Sequence, residues 1–429
     1  MKLTKSIGFS MLLMVGAVFT ARSDDFRADI NPALRYYQAF ILAPDLAPTD
    51  RDYVFDREWR GQKLPERFGT IITRYDTQFK VIRQAAHATV PCDWGVDMTP
   101  GPATLLPHLS RCKEIVRVAR LRTMWSLQNG RPAKARDDLI AGLALARNSS
   151  EDGTLISTLV QIAGENIVCS AVAENFYQFS PEILKQLEAG FEAAPARTTV
   201  ANCMVAENAL FLDWLVGKIV ELQRKHPGDD AKVMAETRDL ITSLDNPEGG
   251  QTNQPQQNLW SQVTKAAGGT SEGIIKLLHN NLYKRLPTIM ALPLRDYEDQ
   301  IKQFDSEVQN SANPFVALTF PSIMKCRAKE FAALAELAMV RAGVEYKLNG
   351  EAGLKGVTDP CGQGPFELQR FKFQGVDRGF ELKSAYNGRG FQEVLIFVEK
   401  DGPPFHVAGA KAGEPVTESS TSKSPSKVH

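Results

Sequence analysis

Several common chemistries have no foothold in this chain of 429 residues. It holds no Cys-x-x-Cys pair and no Cys-x-x-Cys-His segment, so neither a thioredoxin-type redox motif nor covalent haem attachment is expected. Its six histidines, at 87, 108, 226, 279, 406 and 429, form no His-x-x-x-His or His-Glu-x-x-His pair. A zinc site therefore has no support. No Gly-rich phosphate loop ending in Lys-Ser/Thr is present. Neither sign of charge is in excess, with 50 basic and 50 acidic residues. That balance argues against nucleic acid or an anionic membrane surface as the main partner. After the N-terminal leader no stretch reads as the roughly 20 apolar residues a spanning helix needs. The five tryptophans are widely spaced, which suits packing better than a stacking platform.

What is present begins at the first residue. Lys2 and Lys5 form a positive start, Ile7 to Phe19 is apolar, and Ala21-Arg22-Ser23 is a small-x-small cleavage site before Asp24. This order is that of a secretory signal peptide spanning 1–23. Localisation is thus expected to be periplasmic or secreted, with no integral membrane span after cleavage. Removing Lys2, Lys5 and Arg22 leaves 47 basic against 50 acidic residues. A variant reading rests on Gly8-Phe9-Ser10-Met11-Leu12, which resembles a type IV pilin leader. Pilins carry Glu at the fifth position after the Gly, and here that position is Leu13.

An exported protein meets an oxidising compartment, where an even number of cysteines suggests disulfides. Six cysteines allow 15 pairings. Neighbour pairing is the working expectation: Cys92 with Cys112, Cys169 with Cys203, and Cys326 with Cys361. The alternative is buried free thiols in apolar helices.

Periodicity divides the chain into a helical domain (24–244), a linker or long loop (245–258), a helical segment (259–350), a small β module (351–408) and a disordered tail (409–429). Asn31-Pro32 reads as a capped helix start. Leu64, Phe68, Ile71, Ile72, Tyr75, Phe79 and Ile82 define one amphipathic helix. Two helices follow between Leu105 and Ala146, joined at Asn129-Gly130-Arg131-Pro132. Their turn and second helix resemble a tetratricopeptide-type hairpin without its signature aromatics. Asp137-Asp138 is expected near a helix start, where carboxylates favour the dipole. Thr154 to Phe179 and Thr199 to Lys225 read as long helices, and Ser180-Pro181 restarts the chain between them. Val172-Ala-Glu-Asn175 recurs as Val205-Ala-Glu-Asn208, each downstream of a cysteine, which hints at a helix-hairpin repeat. After Gly353 the pattern alternates with period two, as expected of three or four short antiparallel strands. The expected class is α+β, mainly α: helical hairpins with a small C-terminal sheet.

The C-terminal segment carries a resemblance. Asp359-Pro-Cys-Gly-Gln-Gly-Pro-Phe366, then Gly379-Phe-Glu-Leu-Lys-Ser384, resembles a DP-x-G-x-P-aromatic and GF-x-L-x-S module at the ends of exported helical proteins of planctomycete and verrucomicrobial type. It is also similar to the C-terminal sheet of type II secretion pseudopilins. In those, a loop after the Ser carries calcium-binding Asp residues. Here that loop, Ala385-Tyr-Asn-Gly-Arg-Gly390, has no Asp, so no metal or cofactor is implied. The resemblance implies a small sheet module and no activity.

Gly269-Thr-Ser271-Glu-Gly273 matches G-x-S-x-G, whose Ser is a hydrolase nucleophile when it sits between a strand and a helix. Asp296 or Asp299 and His406 follow in suitable chain order. The strand is missing from the pattern, so Thr270 or Ser271 reads first as a helix cap. Glu165, Glu174 and Glu207 lie inside apolar helices, where paired carboxylates could share a proton or hold a metal. No Glu-x-x-His accompanies them. The leading functional expectation is an exported envelope scaffold or protein-binding module whose partner is another envelope protein. The alternatives are an exported serine hydrolase using Ser271 and a pseudopilin-like secretion component.

Overall fold

A computed structural model describes residues 26–57, 59, 62–245, 255–279, 282–388 and 391–402. The expected signal peptide, most of the 245–258 loop, His406 and the tail lie outside these residues. Asn31 opens α1 (Pro32–Ile41), its Oδ1 accepting from Ala33 N at 3.0 Å. After α2 (Pro48–Phe55), the apolar stripe from Leu64 to Ile82 forms two helices where one was expected, α3 (Glu66–Thr73) and α4 (Asp76–Ala86). The N–H groups of Arg74 and Tyr75 bond to Ile71 and Ile72, three residues back. This tightening ends α3, yet Phe68, Ile72, Phe79 and Ile82 stay fully buried.

The long antiparallel pair is α5 (His108–Gln128) and α6 (Pro132–Asn148). Gly130 takes φ 65° between them, a value that suits glycine. Thr154 caps α7 (Leu155–Glu174) and Ser180 caps α8 (Pro181–Glu192). Thr199 and Asn202 close a reciprocal capping box at α9 (Val200–Glu207). The helix expected to run unbroken to Lys225 contains a π-helical segment, Asn208–Asp213, before α10 (Trp214–Lys225). Then come α11 (Asp230–Asp245), α12 (Pro255–Ala266), α13 (Ser271–His279), α14 (Leu286–Met290), α15 (Leu294–Gln309) and α16 (Pro314–Lys355), the last broken at Gly350.

The sheet is antiparallel in the order β1 (Glu367–Phe373), β2 (Val376–Gly388), β3 (Phe391–Val398). Gln374 and Gly375, both at positive φ, make the tight turn that joins the first two. A Cβ at Gly379 would lie 1.9 Å from the Phe397 carbonyl oxygen, so only glycine lets β3 approach. The described residues are therefore mainly helical with a small C-terminal antiparallel sheet.

Three hydrophobic cores hold these elements. The largest joins α1–α8 to the C-terminal half of α16 and the sheet, from Ala33 to Phe397. The second joins α9, α14, α15 and the first half of α16, and the third joins α10–α13. These cores cross the boundaries expected near 259 and 351. The sheet packs on the N-terminal helices, with Phe176 edge-on to Phe397 at 5.0 Å. By length and composition α7 could cross a membrane, contrary to the sequence expectation. In this fold it is central, and its Glu165 and Cys169 are fully buried.

Candidate functional site

Ser271 is the sharpest catalytic candidate of the sequence, and the fold makes its surroundings explicit. Helix α12 precedes it; no strand does. Thr270 is the cap, its Oγ1 accepting from Gly273 N at 3.1 Å. Ser271 occupies the first helical turn and is 1% exposed. Its hydroxyl donates directly to Asp230 Oδ1 and accepts from Gln223 Nε2 at 2.9 Å. Neither Asp296 nor Asp299 is among these partners. A nucleophilic serine needs a neighbouring base, a third group to orient that base, and room for a carbonyl carbon. Ser271 has a carboxylate in the base's place and no exposure.

The three embedded glutamates are dispersed rather than paired. Glu174 accepts from Arg120 Nη2 at 2.9 Å. Glu207 accepts from Leu155 N at 2.7 Å, satisfying a free donor in the first turn of α7. Burial pushes its carboxyl up from the usual range. Glu165 sits between Arg147 Nε (3.2 Å) and Arg197 Nη2 (3.0 Å). Arg197 continues to Glu330 Oε1 at 3.3 Å, and Glu330 also takes Arg327 and the Val200 N–H. This chain of charges ties α6, α7, the α8–α9 connection and α16 together. Asp138, expected to face a helix dipole, is instead fully buried between Arg122 (2.9 Å) and Arg83 (2.6 Å).

All six cysteines are free thiols, and no two lie at bridging distance, which corrects the expected pairings. Cys203 Sγ lies 2.8 Å from Thr158 Oγ1, beside the first turn of α7. Cys169 is eleven residues further along the same helix, about 16 Å at 1.5 Å per residue. Cys361 Sγ faces the Phe331 carbonyl at 3.7 Å, more than a helical turn beyond Cys326. Cys92 and Cys112 are both buried in the core under α1. Burial raises the thiols of Cys92, Cys203 and Cys361 to about 12, where a thiolate is scarce.

Two arrangements were not foreseen. Glu336 on α16 and Glu393 on β3 face one another as a carboxyl pair, both pushed up, by burial first. Asn166, with its amide nitrogen toward α16, donates to Glu336 Oε2 at 3.3 Å. The sequence signal was a lone Glu within the Ala-Ala-Leu-Ala-Glu-Leu-Ala run. The second is a cleft of about 290 Å³ between the end of α1, α2, α4 and α5. Tyr75 and Gln78 line it with Arg51, Arg111 and Glu114, and Phe40, Leu46, Ile115 and Val118 give it apolar walls. Among the described residues no group of three or more His, Cys, Asp or Glu is placed to hold a metal ion. No protein-family profile, no curated protein and no solved structure matches this chain.

Proposed function

We propose that this is an exported envelope protein that works by binding another protein. The observation that carries the reading is the outward face of α1. Leu34 (61% exposed) and Ile41 (84%) lie on it at i and i+7, with Tyr37, whose hydroxyl donates to the Trp94 carbonyl, half-exposed between them and Leu42 at the cap just beyond. The opposite face buries Ala33, Tyr36 and Ala39. A ten-residue helix with large apolar side chains on both faces offers the second to a partner. Export is supported by the charged start, the apolar run and the Ala21-Arg22-Ser23 site. The closed surroundings of Ser271 turn the argument away from hydrolysis.

The test places a photo-crosslinking residue at Tyr37 in the secreting cell. One discrete cross-linked partner is expected, lost when Leu34→Glu and Ile41→Glu are combined, with thermal unfolding unchanged. Absence of any discrete product sinks the reading. Intact mass of the recovered chain checks the address, since export predicts a start at Asp24. A fluorophosphonate probe on the same sample checks the alternative: labelling of Ser271 would restore the hydrolase.

A further inference from the structure

The cleft beside the end of α1 holds one buried polar atom that the fold leaves without a partner. Gln78 is 2% exposed. Its Nε2 donates to the Ala39 carbonyl at 2.9 Å, which fixes the amide's orientation. Its Oε1 is buried and accepts no hydrogen bond. A buried acceptor left unpaired is costly, and a donor entering the cleft would relieve it once the Gln78 side chain shifts to meet it. Tyr75, three residues earlier, also lines the cleft and is 4% exposed, and its hydroxyl is not among the enclosed unpaired atoms, so it stays open to the cleft. Burial lifts that phenol to about 12, so it stays neutral and able to donate.

Around this floor the lining changes character in two steps. Phe40, Leu46, Ile115 and Val118 supply apolar walls. At the mouth, Arg51 and Arg111 are more than half exposed and flank Glu114, at 3.1 and 3.7 Å, and Asp45 completes the charged lining. Each guanidinium carries five N–H donors, more than one such contact occupies. Cleft volume is at the lower end of small-ligand sites and admits one amino-acid-sized group.

An acceptor beside a donor is the complement of an amide. Apolar walls are the complement of an aliphatic or aromatic side chain. Guanidinium groups at the rim are the complement of a carboxylate. We infer that this cleft binds an N-acylated apolar amino-acid unit, the chemistry of a peptide's C-terminal residue. Its amide N–H meets Gln78 and its acyl oxygen meets Tyr75. Its side chain lies among Phe40, Leu46, Ile115 and Val118, and its carboxylate reaches Arg111 and Arg51. The proposal is separate from the α1 docking face. The Leu34→Glu and Ile41→Glu pair leaves the cleft lining untouched, so each reading can fail alone.

The test measures binding of N-acetyl-leucine and N-acetyl-leucinamide to the full exported chain, by calorimetry and by protein-observed NMR. Both probes are expected to bind, the acid more tightly. Tyr75→Phe removes a hydroxyl that stays open to the cleft, so thermal unfolding should not move. Affinity for both probes should fall by roughly 2- to 10-fold, the value of one hydrogen bond. Arg111→Ala should weaken the acid and leave the amide alone. If neither probe binds, or if Tyr75→Phe binds both as well as the unaltered chain, the site assignment is overturned. If acid and amide bind equally, and Arg111→Ala changes neither, the carboxylate assignment is overturned.

Discussion

Asp359 and Ser384, 25 residues apart, meet through hydrogen bonds from Ser384 Oγ to both carboxylate oxygens, at 3.0 and 2.9 Å. The same carboxylate accepts from Ala385 N at 2.6 Å and Cys361 N at 2.9 Å. Both side chains are buried. Asp359 belongs to the DP segment and Ser384 ends the Gly379–Ser384 segment. The two halves of the C-terminal pattern are thus joined by one buried carboxylate that pins β2 to the loop after α16. Ser384→Ala should cost about 1–2 kcal/mol and Asp359→Ala more, because the latter strands several buried donors at once. Urea unfolding of the three chains checks the order. Equal stability of Asp359→Ala and the unaltered chain would rule out the clamp.

Arg197 bridges two carboxylates that have almost no exposure, Glu165 and Glu330. Arg197→Met keeps most of the side-chain volume and removes the charge. Arg147 still pairs Glu165 and Arg327 still pairs Glu330, so the loss should be that of charge-assisted hydrogen bonds, about 1.5–3 kcal/mol, rather than of an unpaired buried charge. A midpoint shift in urea equivalent to less than about 1 kcal/mol would mean that solvent relieves the site.

The Glu336–Glu393 pair gives stability a pH dependence of definite sign. Both carboxyls are raised above the ordinary Glu value of 4.5 in the fold, by burial first. The folded state therefore holds protons that the unfolded chain releases from about pH 4.5 upward. Their contribution is greatest below pH 4.5 and is lost as pH rises toward the folded values. Glu336→Gln keeps the shape and removes the titration. The difference in unfolding free energy between variant and unaltered chain should grow in the variant's favour from pH 4.5 to 8. Its slope should approach about 1.4 kcal/mol per pH for each proton that the fold alone retains. A difference flat with pH contradicts the pairing.

The thiols make a prediction about redox state. Intact masses before and after reduction should be identical, and a thiol reagent should label all six cysteines in urea. In the native state Cys361 alone is partly exposed, and its raised thiol should react slowly. Two protons gained on reduction would show a bridge, and hence a fold different from this one around that pair.

Much of the helical half was legible because its signals are local. Asn31, Thr154, Ser180 and Thr199 cap the helices that follow them. Gly130 and Pro132 mark the α5–α6 turn. The alternating C-terminal segments became the three strands. Where expectation and structure part, the deciding contact is distant in sequence. Cys169 and Cys203 suggested a bridge through a repeated tetrapeptide, but the repeat does not bring their sulfurs together. The cleft floor depends on α4 meeting α1 through Gln78 and Ala39, 39 residues apart. A polar residue on a buried helix face was the one available signal.

Side-chain periodicity, capping residues and turn glycines set the elements and the mainly helical class, because each acts within a few residues of chain. Tertiary packing alone decided which buried charges meet, which thiols stay apart and which polar atoms are left unpaired. These depend on distances between segments separated by tens to hundreds of residues. At those separations the low dielectric of the interior makes a matched contact strong and an unmatched one costly.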